Sequence, residues 1–223
     1  RQRQMCIRDR SIGASAATAD MDSFIDSLMS RMTLDEKLGQ LNLPAAGDLV
    51  SGAPLNARIK DLAANAKIGG TFGIAGTAKI RSLQQIAVEE TRLGIPLLIG
   101  LDVIHGCKTI FPIPLALSAS WDTVAVERMA HVSAVEASAL GIGWTFSPMV
   151  DISRDPRWGR VAEGAGEDPY LGSLIARAYV RGYQGDLSKP DNILACVKHF
   201  ALYGASEAGR DYNTCLLYTS DAA

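Results

Sequence analysis

Short, uniformly apolar runs return along this chain at intervals that leave room for one helix between each pair. That alternation constrains the fold more than any other feature. The runs Ile68-Gly-Gly-Thr-Phe72, Pro96-Leu-Leu-Ile99, Gly143-Trp-Thr-Phe146 and Ile193-Leu-Ala-Cys-Val197 lack the in-and-out polarity of a half-solvated strand. Continuous apolar character over so few residues is the pattern of strands covered on both faces. Leu41–Leu43, stopped by Pro44, is a candidate earlier strand. Between the runs, Asn56 to Lys67 and Ala78 to Leu93 read as helices. Asp122 is an N-cap for a helix reaching Leu140, and Asp168-Pro169 supply an N-cap and first-turn proline for a helix with Leu171, Leu174, Ile175 and Ala178 on one face. Before the first strand, Phe24, Leu28 and Met32 mark a helical stripe, and Thr33-Leu-Asp-Glu36 reads as a capping box that starts a second short helix. Strands alternating with helices imply right-handed βαβ units and a parallel sheet with the helices outside.

Five such strands fit either an open doubly wound sheet or the first five units of an eight-fold (β/α) barrel, which needs about 250 residues when whole. The position of the polar residues favours the barrel. Asp102, the stretch from Arg154 to Pro169, and Lys198-His199 each follow the C-terminal end of an apolar run, where a barrel gathers its site. No G-x-G-x-x-G follows the first strand, which removes the usual support for a dinucleotide fold. The glycines at 69, 70, 73 and 76 lack the Gly-Lys-Ser/Thr ending of a phosphate loop and read as a strand with a tight turn. The expected fold class is therefore α/β, an incomplete (β/α)8 TIM-type barrel of roughly the first five βα units.

Composition excludes more than it selects. With 223 residues, 48% of them hydrophobic, and a net charge of -2, the chain is long enough for a sizeable core and too near neutral for electrostatic binding of nucleic acid. No apolar run approaches the roughly 18 to 20 residues of a membrane span, and the one around Ile95 to Leu101 is broken by Pro96 and Gly100. The four cysteines, Cys6, Cys107, Cys196 and Cys215, show neither a CxxC pair nor metal-ligand spacing, so no metal site or disulfide framework is expected; Cys107 and Cys196 read as small core-type residues. The two ends differ from the rest. Residues 1–10 are strongly basic, residues 215–223 continue no pattern, and both resemble translated sequencing-adapter sequence. The expected division is a leader or non-native segment over 1–21, a truncated barrel domain over 22–214, and a non-native tail over 215–223. Within the first segment, the small residues of 12–20 read as the end of an export signal, with a flexible leader as the alternative.

The chemistry concentrates on one loop. Arg154 to Pro169 carries three arginines, two aspartates, two glutamates and Trp158 directly after the apolar Trp144–Val150 run. A connector needs turn formers and little else, whereas Arg forks, carboxylates and a flat ring can grip a polar ligand rich in hydroxyls. Arg160 and Glu163, three apart, are alternatively a structural ion pair that pins a long loop. Asp102, just past a buried strand, is an acceptor for ligand hydroxyls or else a turn aspartate. Lys198 and His199 are two consecutive polar residues at the end of an apolar strand, which reach one site only if the strand is ending there. A Lys-His pair without function is the alternative. His131 lies among Ala, Val and Ser and reads as an ordinary helix-face residue.

These residues stand in an ordered set of motifs: Leu98-Ile-Gly-Leu-Asp102-Val-Ile-His-Gly106, Phe111 to Asp122, Phe146-Ser-Pro-Met-Val-Asp151, Arg154-Asp-Pro-Arg-Trp-Gly-Arg160 with Gly166-Glu-Asp-Pro169, and Lys198-His-Phe200. In order and spacing the set resembles glycoside hydrolase family 3, and Met32 to Leu41 resembles that family's N-terminal helix. The likeness runs from about Asp22 to Asn213. Lys198 to Asn213 is most similar to exported bacterial β-glucosidases, which remove terminal glucose from oligosaccharides and are periplasmic or secreted.

The resemblance implies a retaining mechanism, with a nucleophile and an acid/base about 5 Å apart. It implies Asp102, Arg160, Lys198 and His199 as sugar-holding residues and needs no cofactor or metal. Arg154, Asp155, Arg157 and Glu163 are assigned to supporting the loop, and Trp158 to shaping it or offering an apolar wall. In the family the nucleophilic aspartate lies on a later strand and the acid/base further on, often in a sandwich domain. Neither is expected within this chain, which is therefore expected to be inactive alone and to need the second barrel half and the sandwich domain as partners. The Ala201-Leu-Tyr-Gly204 continuation departs from the Lys-His-Phe-Pro-Gly motif of the family's β-N-acetylglucosaminidases. A β-xylosidase remains an alternative, as does a non-catalytic sugar-binding barrel.

Overall fold

A computed structural model describes residues 14–47, 58–74 and 76–211, with no side-chain description for 14–19. Seven α-helices lie within them: α1 (Ala14–Arg31), α2 (Leu34–Gln40), α3 (Ile59–Ala64), α4 (Thr77–Gln85), α5 (Pro114–Ala119), α6 (Thr123–Ala139) and α7 (Pro169–Gln184). Three strands, β1 (Gly70–Phe72), β2 (Leu98–Leu101) and β3 (Trp144–Thr145), form one parallel sheet in chain order, with Gly70 opposite Leu98 and Gly100 opposite Trp144. Single parallel bridges continue the order on both sides. Ala45 pairs with Phe72, and Leu194 with Trp144. Five chain segments thus lie side by side in sequence order.

The local signals at the helix ends hold. The Thr33 hydroxyl accepts from the Glu36 amide while the Glu36 carboxylate accepts from Thr33 N–H, so the capping box is closed in both directions. Asp122 accepts from the Ala125 amide at 2.9 Å, and Asp168 caps α7 through the amides of Tyr170 and Leu171.

The strands are shorter than the apolar runs suggest. Leu41–Leu43 is not a strand: Leu41 caps α2 and is exposed, and pairing begins only at Ala45. The Ile193–Val197 segment is reduced to bridges at Leu194 and Lys198. Burial on both faces is also incomplete, with Leu98 and Leu194 more than a third exposed. The expected Ala78–Leu93 helix is α-helical only to Gln85, and Ile86–Glu90 continues as a π-helical turn. The Phe24, Leu28 and Met32 stripe is buried only at Met32, with Phe24 61% exposed, so α1 meets the body of the protein at its C-terminal end. Asn56 and Ala57, the first residues of the expected Asn56–Lys67 helix, lie outside the described residues, as do the ends 1–13 and 212–223.

One core joins the sheet to its helices. Ile68, Ile99, Val103, Val126, Ala130, Ala134, Leu83 and Ile193 are buried in it. Each fully buried aliphatic side chain of Val or Leu size stabilises such a core by about 1.5–3 kcal/mol. Four hydrogen bonds set the register of the layers. Gln84, buried on α4, donates to the Leu97 carbonyl and accepts from its amide, at 2.6 and 2.8 Å, as a neighbouring strand would. Tyr183, buried on α7, donates to the Val103 carbonyl at 2.5 Å, and Val103 N–H donates to Thr145 Oγ1 at 3.1 Å. The peptide that follows Asp102 is thereby tied to a helix and to the next strand. α6 and α7 approach closely where Gly182 faces the Glu127 carbonyl, because no side chain separates the two backbones there.

Candidate functional site

The ends of the parallel segments bring six charged or ionisable side chains into one chain of contacts. Asp102 stands one residue beyond β2. Lys198 lies at the bridge with Met149, and its ammonium is 3.4 Å from Asp102 Oδ1 and 3.7 Å from Glu163 Oε2. Glu163 and Arg160 sit on a 3-10 turn, Gly159–Glu163, within the long loop. There the guanidinium donates to both carboxylate oxygens, Nε at 2.6 Å and Nη2 at 2.8 Å. The third guanidinium nitrogen, Nη1, is 3.4 Å from His199 Nε2. On the far side of the imidazole, Asp151 Oδ2 is 2.8 Å from Nδ1 and also accepts from the His199 backbone amide at 3.0 Å.

Exposure varies along this chain. The Asp102 side chain is 55% exposed and Lys198 13%, so the lysine stem is covered while the aspartate faces solvent. Asp151 is buried, with 3% of its side chain accessible. Burial by itself would raise the Glu163 pKa, yet the hydrogen bonds and charge of Arg160, with the Lys198 ammonium adding to it, hold it below the usual carboxylate value. The Glu163 carboxylate in turn pushes the Arg160 pKa upward against the cost of burial. Both groups are charged at neutral pH, and their arms are presented in fixed directions.

Of the loop residues, Asp155 and Arg157 pair with each other, Arg157 Nη2 at 2.6 Å from Asp155 Oδ2. Hydrogen bonds from Arg157 hold the Asp155 pKa down at about 2. Arg154 is exposed and forms no ion pair among the described residues. Trp158 is 1% exposed and donates its indole N–H to Asp211, so the ring lies inside the fold and offers no open wall. Its edge meets Tyr203, whose ring also stands edge-on to His199 at 4.8 Å and under the Arg160 guanidinium at 5.2 Å. Cys107 and Cys196 are half-buried free thiols, and burial raises the Cys107 pKa. His131 is exposed on α6.

Asp102, Arg160, Lys198 and His199 are thus gathered, with Glu163 between the two cations. Asp151, Tyr203 and Asp211 belong to the same network without having been singled out. Asp151 carried a usable signal, a carboxylate just beyond an apolar run, which is the ground on which Asp102 is selected. Tyr203 and Asp211 carried none, since their partners are 43 or more positions away except for the neighbouring His199. A cleft is lined by Arg154, Pro156, Arg157, Ser206 and Glu207, and none of the residues of the charged network lines it. Among the described residues no group of three or more His, Cys, Asp or Glu side chains is arranged to hold a metal, and no helix is long and apolar enough to cross a membrane.

A parallel α/β domain with charged hydrogen-bonding groups converging at its strand ends belongs to the class of proteins that build their sites on the C-terminal edge of a sheet. Comparison with known proteins narrows this class. Residues 33–220 match the glycosyl hydrolase family 3 N terminal domain, and the chain belongs to that family. Its fold in solved relatives is of the TIM-barrel type. The periplasmic beta-glucosidase of Salmonella typhimurium is 43% identical over 195 residues, which is 86% of this chain and 25% of that protein. The periplasmic beta-glucosidase/beta-xylosidase of Dickeya chrysanthemi is 36% identical over 82% of this chain and 32% of its own length. The crystal structure of a beta-glucosidase from Listeria innocua in complex with isofagomine superposes with a TM-score of 0.79 at 47% identity, covering 86% of this chain and 28% of that one. The chain therefore spans about a quarter to a third of the relatives it matches.

Proposed function

We propose that this chain supplies the glucose-holding half of a retaining β-glucosidase, with Asp102, Arg160, Lys198 and His199 gripping the terminal, non-reducing sugar of a β-glucoside oligosaccharide. The observation that carries this reading is the unbroken contact path from Asp102 through Lys198, Glu163 and Arg160 to His199. A sugar hydroxyl donates one hydrogen bond and accepts others, and the path presents acceptors and charged donors side by side. Bonds of this kind strengthen as the ring flattens and gains positive charge, which favours the transition state over the ground state.

The five parallel segments in chain order support an incomplete (β/α)8 barrel of about five βα units. The nucleophilic aspartate and the acid/base are proposed to lie in the rest of the parent protein, so that the chain alone binds sugar without turning it over. The relatives' names support a periplasmic or exported parent. A β-xylosidase is the second reading, favoured by the Dickeya chrysanthemi relative.

The test is hydrolysis of aryl β-glucoside and aryl β-xyloside by the full-length parent, wild type and Arg160→Met. Preference for the glucoside, lost on substitution, is expected. Preference for the xyloside replaces the first reading with the second. Sugar binding without cleavage of either substrate leaves a non-catalytic barrel.

A further inference from the structure

We infer that Asp151 is a positioning residue that sets the tautomer of His199, so that this histidine meets a ligand hydroxyl as a hydrogen-bond acceptor at Nε2. The inference rests on the proposed sugar-holding role of His199 for its functional meaning, but its structural part stands on three contacts. Asp151 Oδ2 lies 2.8 Å from Nδ1 of the ring and 3.0 Å from the backbone N–H of the same residue. A carboxylate only accepts, so Nδ1 carries the proton. Its side chain is 3% exposed, and solvent does not compete for it.

On the other side of the ring, Nε2 faces Arg160 Nη1 at 3.4 Å. A guanidinium only donates, so this nitrogen of the imidazole must present its lone pair. A doubly protonated ring would set N–H against N–H beside two existing cations, Arg160 and Lys198. Asp151 already takes the Nδ1 proton at 2.8 Å, and Glu163, on the side of the two cations, is committed to both, at 2.6 Å from Arg160 and 3.7 Å from Lys198. The Tyr203 ring packs perpendicular to the imidazole, at 88° with 4.8 Å between centroids.

The consequence is a division of labour within the site. Arg160 and Lys198 offer donors only, whereas Asp102 and His199 Nε2 offer acceptors. A hydroxyl that displaces the 3.4 Å contact between Arg160 Nη1 and His199 Nε2 accepts from one and donates to the other, and a ligand group that can only accept has no partner at His199. Asp151 touches no ligand in this arrangement. It acts through the ring, much as a buried carboxylate orients a histidine in hydrolase triads.

The test is the ring 15N spectrum of the full-length parent with labelled histidine, His199 being assigned by His199→Gln. At neutral pH an unprotonated Nε2 and a protonated Nδ1 are expected, and Asp151→Ala should move both signals toward the average of two exchanging tautomers. The wild-type spectrum is decisive even if the alanine variant does not fold. kcat/KM for an aryl β-glucoside should fall about 10-fold in the alanine variant, mainly through KM. An unprotonated Nδ1, a doubly protonated ring, or a spectrum unchanged by Asp151→Ala would overturn the inference. Saturation with D-glucose separates the two levels: if the tautomer is as inferred but glucose leaves the His199 signals in place, the positioning holds and the sugar-holding reading fails.

Discussion

The Arg160 guanidinium meets the Glu163 carboxylate side-on, with Nε to Oε1 at 2.6 Å and Nη2 to Oε2 at 2.8 Å. The pair is partly buried, and its geometry leaves Nη1 as the arm turned toward His199. Glu163→Gln is expected to destabilise the protein by about 1–3 kcal/mol at neutral pH, since it leaves Arg160 without its charge partner. Pairing lowers the Glu163 pKa in the folded state, so its stabilisation is present above the ordinary value of 4.5 and is lost as pH falls through the folded value. Urea unfolding of the two proteins should therefore differ at neutral pH and converge as the pH falls below the ordinary carboxylate range and through the lowered folded-state value. A difference that persists in acid would show that charge is not the cause.

Two tyrosines one turn apart on α7 are expected to respond oppositely to the same substitution. Tyr183→Phe removes the donor to the Val103 carbonyl and leaves that buried acceptor unpaired, at a cost of about 1–2 kcal/mol. It also loosens the peptide beside Asp102, so KM of the parent for aryl β-glucoside should rise. The Tyr179 hydroxyl is buried with no hydrogen-bond partner among the described residues, and burial drives its pKa well above the usual phenol range. Tyr179→Phe should be neutral or stabilise by about 1 kcal/mol. Thermal unfolding of the two variants, measured together, checks the contrast.

Gly182→Ala is expected to cost about 3 kcal/mol or more. An added Cβ would lie 2.2 Å from the Glu127 carbonyl oxygen and 2.6 Å from the Ala130 Cβ. The first of these is backbone, so α6 and α7 must move apart and loosen a core that holds Ala130 and Ala134. The midpoint of chemical unfolding reads this directly; an unchanged midpoint would mean that the helices do not pack so closely.

Asp211→Ala leaves the buried indole N–H of Trp158 without its acceptor. A loss of about 1–3 kcal/mol is expected, together with easier acrylamide quenching of Trp158 fluorescence as the 203–211 segment lifts from the loop. Asp211→Asn retains an acceptor and should recover most of the difference.

The sequence by itself determined what depends on neighbours in the chain. The capping box at Thr33 and Glu36, the Asp122 and Asp168 caps and the proline that opens α7 involve groups within three residues of one another, so their types alone specify the outcome. The order of apolar runs likewise specified parallel segments laid side by side, because each run has only a sheet and its covering helices in which to bury itself. Asp102, Arg160, Lys198 and His199 stood out for the same reason: polar groups at the ends of apolar runs are cheap to spot.

Only the tertiary structure decided how far each strand pairs and which side chains meet. Leu41–Leu43 is as apolar as a strand, yet pairing waits until Ala45, where the backbone reaches Phe72. Asp151 looked like one carboxylate among several until the fold set it against His199, 48 residues on. Trp158 is buried because Asp211 and Tyr203 return to cover it. Contacts between residues far apart in the chain depend on loop closure and packing of the whole domain, and no local preference of either partner encodes them.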